Sequence, residues 1–325
     1  MSERSRPDPS APHASRRWDA DAPLPDARSD RAPTLLHRIE NAAANGLFGW
    51  SQRAGLERAS DRMGAFSRAL GPRLPAHRRG LANLALVMPE RADEHAAILG
   101  AAWENLGRTA AEYAHMPAVA ERVTLRGAER LEAVRANGPA VFVSGHFANW
   151  EAMPMTLHAA GLRTAAVYRA ANNPLVDRTI IERRAEVMTR HLIPKGKRGG
   201  RQLVAAVRDG LNVCMLIDQK LNDGIEVPFL GVPAMTAPAA ARVALRSGLP
   251  VIPLQIVREP GVRFTITVHP PLDAPRTGDQ AADTRALTVA INGAIGGFVR
   301  EHPGQWLWFH RRWPKAAYAD LQASA

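Results

Sequence analysis

Apolar positions recur in two rhythms along the chain, and the change between them falls near residue 125. From Thr34 onward, Leu36, Ile39, Ala43, Leu47 and Trp50 follow one another at steps of three and four, which predicts an amphipathic helix. Helix-like spacing continues through "RRGLANLALVM" and "HAAILGAAWENLGRTAAEYAHM", separated by the breaker "PERADE" and ending near Pro117. Beyond that point short apolar runs, "AVFVSG", "TAAVYR", "NVCMLID" and "PVIPLQIV", alternate with helical stretches that begin near Trp150, Pro174, Gly200 and Ala237. This alternation predicts α/β units. "VIPLQIV", the turn "REPGV" and "RFTITVHP" predict a closing hairpin. The expected fold class is therefore α/β, with a central mixed sheet flanked by helices and an N-terminal helical layer. Its expected divisions are a tail over 1–31, a helical, membrane-proximal region over 32–125 and an α/β core over 126–325.

Composition changes this picture in three places. Residues 1–31 are rich in Pro, Asp, Ser, Ala and Arg and hold almost no large apolar residue, so disorder is expected there. The 42 Lys and Arg against 31 Asp and Glu leave a net charge of +11, which favours anionic partners. One cysteine, Cys214, lies inside an apolar run, so no disulfide framework is expected. No run is long and apolar enough for a spanning helix, and "ASRRWDADAP" is followed by acidic and proline-bearing sequence instead of an apolar export segment. A chain kept in the cytoplasm is expected. The stripe from Leu36 to Trp50 then has two readings, packing on the core or lying in a bilayer surface with Trp50 at the interface.

Candidate chemistry centres on "VFVSGHFANWEAM", where His146 leaves the end of a strand and Glu151 enters the next helix. With 11 histidines and 31 acids in 325 residues, about one such spacing is expected by chance, so the setting has to carry the argument. Clefts of α/β sheets open at the carboxyl ends of strands. Across such a bend Glu151 is placed to accept a hydrogen bond from one imidazole nitrogen, leaving the other as a base. The competing reading has Asn149 capping the helix, Glu151 complementing its dipole and His146 merely packing. A serine hydrolase is disfavoured because Ser144 lacks the G-x-S-x-G setting, and a metal site because no H-E-x-x-H or Cys/His cluster is present.

"SGHFANWE", "YRAANNP", "LIDQ", "VPFLGVPA" and "QWLWFHRRW" occur in order, and together they resemble the lipid A biosynthesis acyltransferase family over about residues 35–315. The resemblance implies a sheet like that of glycerolipid acyltransferases. It also implies transfer of a fatty acyl chain from acyl carrier protein to a hydroxyl of a Kdo-bearing lipid A precursor, at the cytoplasmic face of the inner membrane and without a cofactor. His146 matches the family's general base and Glu151 its carboxylate partner. Arg169, Asp218 and Gln219 fall in blocks implied to bind substrate, with Arg169 taking a phosphate or an oxyanion and Asp218 orienting it by an ion pair. One departure from this pattern and one basic stretch bear on partners. Many members begin with a clear apolar anchor, whereas residues 34–56 here carry Arg38, Glu40 and Arg53. The basic stretch "RHLIPKGKRGGR" has neither the pattern of a P-loop nor stacking aromatics, so nucleic acid is not an expected partner, while an acidic carrier protein or an anionic membrane surface is. "WLWFHRRWPK" has an interfacial reading and a core reading. Two functions compete with lipid A acylation: acylation of a lysophospholipid or other membrane lipid, and non-catalytic binding to anionic membranes.

Overall fold

The computed structural model describes Leu24 and residues 32–319, so the tail expected over 1–31 lies almost wholly outside the described residues. The N-terminal layer is made of α1 (Leu35–Ala54), α2 (Leu56–Leu70), α3 (Pro75–Val87), α4 (His95–Glu112) and the short α5 (Met116–Ala120). Thr34 starts α1 by accepting from the backbone N–H of His37, and "PERADE" breaks the run as a 3-10 segment.

The core follows as β1 (Val123–Arg126), α6 (Ala128–Asn137), β2 (Val141–Ser144), α7 (Ala152–Ala159), β3 (Thr164–Tyr168), α8 (Pro174–Val187), β4 (Leu192–Pro194), α9 (Lys197–Arg208) and β5 (Asn212–Leu216). It closes with β6 (Lys220–Phe229), β7 (Val232–Thr236), α10 (Ala239–Ser247), β8 (Val251–Glu259), β9 (Arg263–Val268) and α11 (Gln280–Glu301). Seven strands form one sheet in the order β1-β9-β8-β2-β5-β3-β4. Only the β8–β9 hairpin is antiparallel in it, so the sheet is mixed. Strands β6 and β7 make a separate antiparallel pair. The centre of the sheet reads as continuous apolar runs because it is covered on both faces; all four residues of β2 are buried.

Two apolar segments settle differently. The first half of the stripe on α1 faces outward, with Leu36 and Ile39 exposed, while Leu47 and Trp50 are half-buried and Ser51 beyond them is buried, its hydroxyl donating to the Ala111 carbonyl. Core packing is therefore not what the exposed half of that stripe does. The C-terminal aromatics go the other way, with Trp306, Trp308 and Trp313 all fully enclosed. Each spends its indole N–H internally, on Asp218, Pro303 and Phe229 respectively.

Candidate active site

Strands β2 and β5 lie side by side in parallel, with Ser144 opposite Leu216. Two residues past each strand end, His146 and Asp218 therefore meet at the carboxyl edge of the sheet. The imidazole Nδ1 is 2.7 Å from Asp218 Oδ1, and the His146 backbone N–H donates to Asp218 Oδ2 at 2.8 Å. Trp306 donates its indole N–H to the same Oδ2 at 2.7 Å. Gly145 is required for this approach, since a Cβ there would stand 2.6 Å from the Phe147 ring and 3.1 Å from Asp218 Oδ2. Asp218 is fully buried. Burial alone would raise its pKa, but the charge of His146 and the hydrogen bonds from that residue prevail and hold the carboxyl well below the usual carboxylate range. An ionised Asp218 accepts from Nδ1–H, which leaves the lone pair on Nε2. Gln219 Nε2 lies 3.5 Å from that nitrogen.

The carboxylate expected at the imidazole, Glu151, is elsewhere. Its two oxygens accept from Arg184 Nε at 2.9 Å and Nη2 at 2.5 Å, across the gap between α7 and α8. The intervening turn explains the separation. Ala148 adopts a left-handed backbone, φ 45°, and its carbonyl accepts from Asn105 Nδ2 and Thr109 Oγ1 of α4. Asn149 then donates to Glu112 and accepts from the Glu151 N–H, so the chain turns Glu151 away from His146. Glu112 is itself held by both Arg258 terminal nitrogens and by Ser60. The structure thus assigns to Asp218 the contact expected of Glu151.

Arg169 is exposed at the end of β3, where among the described residues it reaches the Asn172 side chain, at 3.4 Å; the ion pair expected between it and Asp218 does not form. Lys195, past β4, stands in the same field: partial burial and then the charge of Arg169 lower its pKa, against the pull of Asp218. Two residues passed over in the sequence join the site. Trp306 is the indole donor to Asp218, and His310 packs on Trp306 with ring centroids 5.3 Å apart. Burial lowers the His310 pKa, and Asp218 opposes this. Their only sequence signal was the run "QWLWFHRRW". Beside Trp150 a narrow pocket of about 40 Å³ runs between the sheet and α7 and α8, walled by Met153, Val167, Met188, Leu192, Cys214 and Leu216 and bordered by the Glu151–Arg184 pair. Among the described residues no His, Cys, Asp and Glu group is arranged to hold a metal ion.

An imidazole base with a buried carboxylate behind it and an apolar pocket beside it suits the activation of a hydroxyl for acyl transfer. The family model for bacterial lipid A biosynthesis acyltransferases matches residues 52–315, and the chain belongs to that family. Lipid A biosynthesis acyltransferase 2 of Shigella flexneri is 28% identical over 248 residues, covering 72% of this chain and 76% of the relative. Phosphatidylinositol mannoside acyltransferase of Mycobacterium tuberculosis (strain ATCC 25618 / H37Rv) is 27% identical over 258 residues, covering 76% and 78%. These likenesses support an O-acyltransferase that places an acyl chain on a lipid acceptor.

Proposed function

We infer that the chain transfers a fatty acyl group from acyl carrier protein to a hydroxyl of a Kdo-bearing lipid A precursor. The observation that carries the mechanism is the His146–Asp218 contact, with Trp306 completing the carboxylate's hydrogen bonds. His146 Nε2 takes the proton of the acceptor hydroxyl as its oxygen bonds to the thioester carbonyl carbon. Asp218 holds the ring's tautomer and offsets the imidazolium charge. The negative charge moves to the carbonyl oxygen, where the Gln219 amide beside Nε2 is placed to donate. Collapse of the tetrahedral intermediate re-forms the carbonyl, breaks the C–S bond and releases the thiol, which takes the proton back from Nε2. Arg169, exposed at the end of β3, and Lys195, which feels the charges of both Asp218 and Arg169, supply charge for an acceptor phosphate. The pocket beside Trp150 receives the acyl chain. At about 40 Å³ it has room for little more than one water, so Arg184 on α8 and Met188 just past its end have to shift to admit a chain.

The exposed apolar residues favour work at a bilayer surface, and the cytoplasmic face of the inner membrane is the surface we propose. Leu35, Leu36 and Ile39 of α1 and Phe66 of α2 are 74%, 61%, 58% and 59% exposed. No described helix is long and apolar enough to cross a membrane, so attachment through this face is interfacial. The similarity to the mycobacterial enzyme favours a second reading of the acceptor, a different membrane glycolipid or lysophospholipid. Mass spectrometry of lipid A from cells with and without the chain tests the acceptor: one acyl-chain mass difference is expected, and an unchanged lipid A alongside a changed phospholipid or glycolipid pool would move the assignment to the second reading.

A further inference from the structure

A second cavity lies away from the dyad, between α3 and the C-terminal segment. It measures about 410 Å³ and is lined by Arg78, Arg79, Arg311 and Lys315, with Ala82, Asn83 and Tyr318 among its walls. All four cations are exposed, and no carboxylate among the described residues lines the space or pairs with any of them. Four cations gathered on one cavity repel one another, and an anion seated among them relieves that repulsion.

The floor is built rigidly. Asn83 donates to the carbonyls of Trp308 and His310, accepts from the Tyr318 hydroxyl at 2.6 Å, and is 1% exposed. Arg79 Nε donates to the Phe309 carbonyl. The rim continues into apolar surface. Leu81 stands three residues after Arg78 on α3, and Leu74 stands four before it at the helix start, so the two flank Arg78 on one side; they are 37% and 39% exposed. Cations around a cavity with leucines beside them suit a lipid headgroup better than an acidic protein, which needs a broad polar surface, or nucleic acid, which needs exposed stacking rings.

We propose that the cavity bounded by Arg78, Arg79, Arg311 and Lys315 is a binding site for the phosphate monoester headgroup of an anionic membrane lipid. Leu74 and Leu81 enter the adjoining acyl region. The site rests on the reading that the chain works at a bilayer, and it gives that attachment a fixed depth. Trp306, which holds Asp218, and Arg311 are five residues apart, so their Cα atoms are separated by at most about 18 Å. A headgroup held here therefore sets how far the dyad stands from the membrane plane.

The test compares full-length chain binding to phosphatidylcholine vesicles doped either with phosphatidate or with oleate, matched in surface potential. Wild type is expected to bind phosphatidate vesicles about tenfold more tightly or better, the factor that charge-assisted hydrogen bonds to phosphate supply. Arg78→Gln with Arg311→Gln should bring that ratio near one, and Arg311→Gln with Lys315→Gln gives an independent pair should the first fold poorly. Arg242→Gln with Arg246→Gln, which removes the same charge from exposed positions of α10, should weaken both bindings and keep the ratio. Equal binding of the two vesicle kinds by wild type, or a preference that survives both cavity pairs, overturns the site. A chain that binds neither vesicle fails the membrane reading itself, whereas one that binds both alike fails only the cavity.

Discussion

Replacing Asp218 with asparagine separates the dyad found here from the one expected at Glu151. The substitution keeps size and shape, and two of the three donors on the side chain are N–H groups fixed in place, those of the His146 backbone and the Trp306 indole, both on Oδ2. The amide oxygen has to stay with those two donors, which turns the amide NH₂ toward the ring. Imidazole Nδ1 must then accept, the ring proton moves to Nε2, and the nitrogen meant to take the acceptor's proton is already protonated. A wrong tautomer in the comparable serine-protease arrangement costs about 10⁴-fold, so Asp218→Asn is expected to lower turnover by about 10³- to 10⁴-fold, or about 4 to 5.5 kcal/mol of barrier. The fold should survive, because the two donors on Oδ2 keep their acceptor, although buried Arg312 loses the negative charge that offsets it. One pH effect should vanish with it. The depressed carboxyl of the folded chain contributes stability that is present above the unfolded value of about 3.9 and is lost as pH falls through the folded value, so the variant's stability should fall less steeply in acid. Single-turnover acyl transfer with a purified thioester donor, together with thermal unfolding, measures both. A folded Asp218→Asn variant within tenfold of wild-type turnover would refute the tautomer argument.

Three further predictions follow from the same geometry. In double-mutant cycles on turnover and stability, Glu151→Gln should couple to Arg184→Gln by about 0.5–3 kcal/mol and show little coupling to His146→Ala; the reverse pattern would restore Glu151 as the imidazole's partner. Glu112→Ala strands Arg258, whose side chain is 8% exposed, and should cost about 3–5 kcal/mol in chemical denaturation; a loss below about 1 kcal/mol would show that the network does not hold the 147–151 turn. Leu36→Ser, Ile39→Ser and Phe66→Ser together should release the chain from anionic vesicles while leaving its unfolding temperature near wild type, and an unfolded triple variant would mean this face packs on the protein.

The helical-to-α/β change near residue 125 was legible because sheet burial on both faces leaves unbroken apolar runs, and "AVFVSG" and "NVCMLID" became β2 and β5. The position of His146 at a strand end could be read for the same reason. Its partner could not. Asp218 is 72 residues away in sequence and comes beside His146 only through β2–β5 adjacency, whereas the nearer Glu151 is diverted by the left-handed turn at Ala148 and by Arg184, neither of which leaves a periodic signal. The face of α1 was ambiguous because the helix packs inward through Ser51 and Phe48 near its end, leaving Leu35, Leu36 and Ile39 outside near its start. Tryptophan is equally at home in cores and interfaces, so the internal use of three indole N–H groups became visible only once their acceptors were placed.

On the proposed mechanism His146, poised by Asp218, carries an acyl chain from thioester to lipid hydroxyl. Its most direct test incubates purified chain with acyl-loaded carrier protein and a Kdo-bearing lipid A precursor and follows the lipid by mass spectrometry. Wild type should add one acyl mass to the precursor, and a folded His146→Ala variant should add it about 10²- to 10⁴-fold more slowly. Acylation by folded His146→Ala at the wild-type rate would contradict the account.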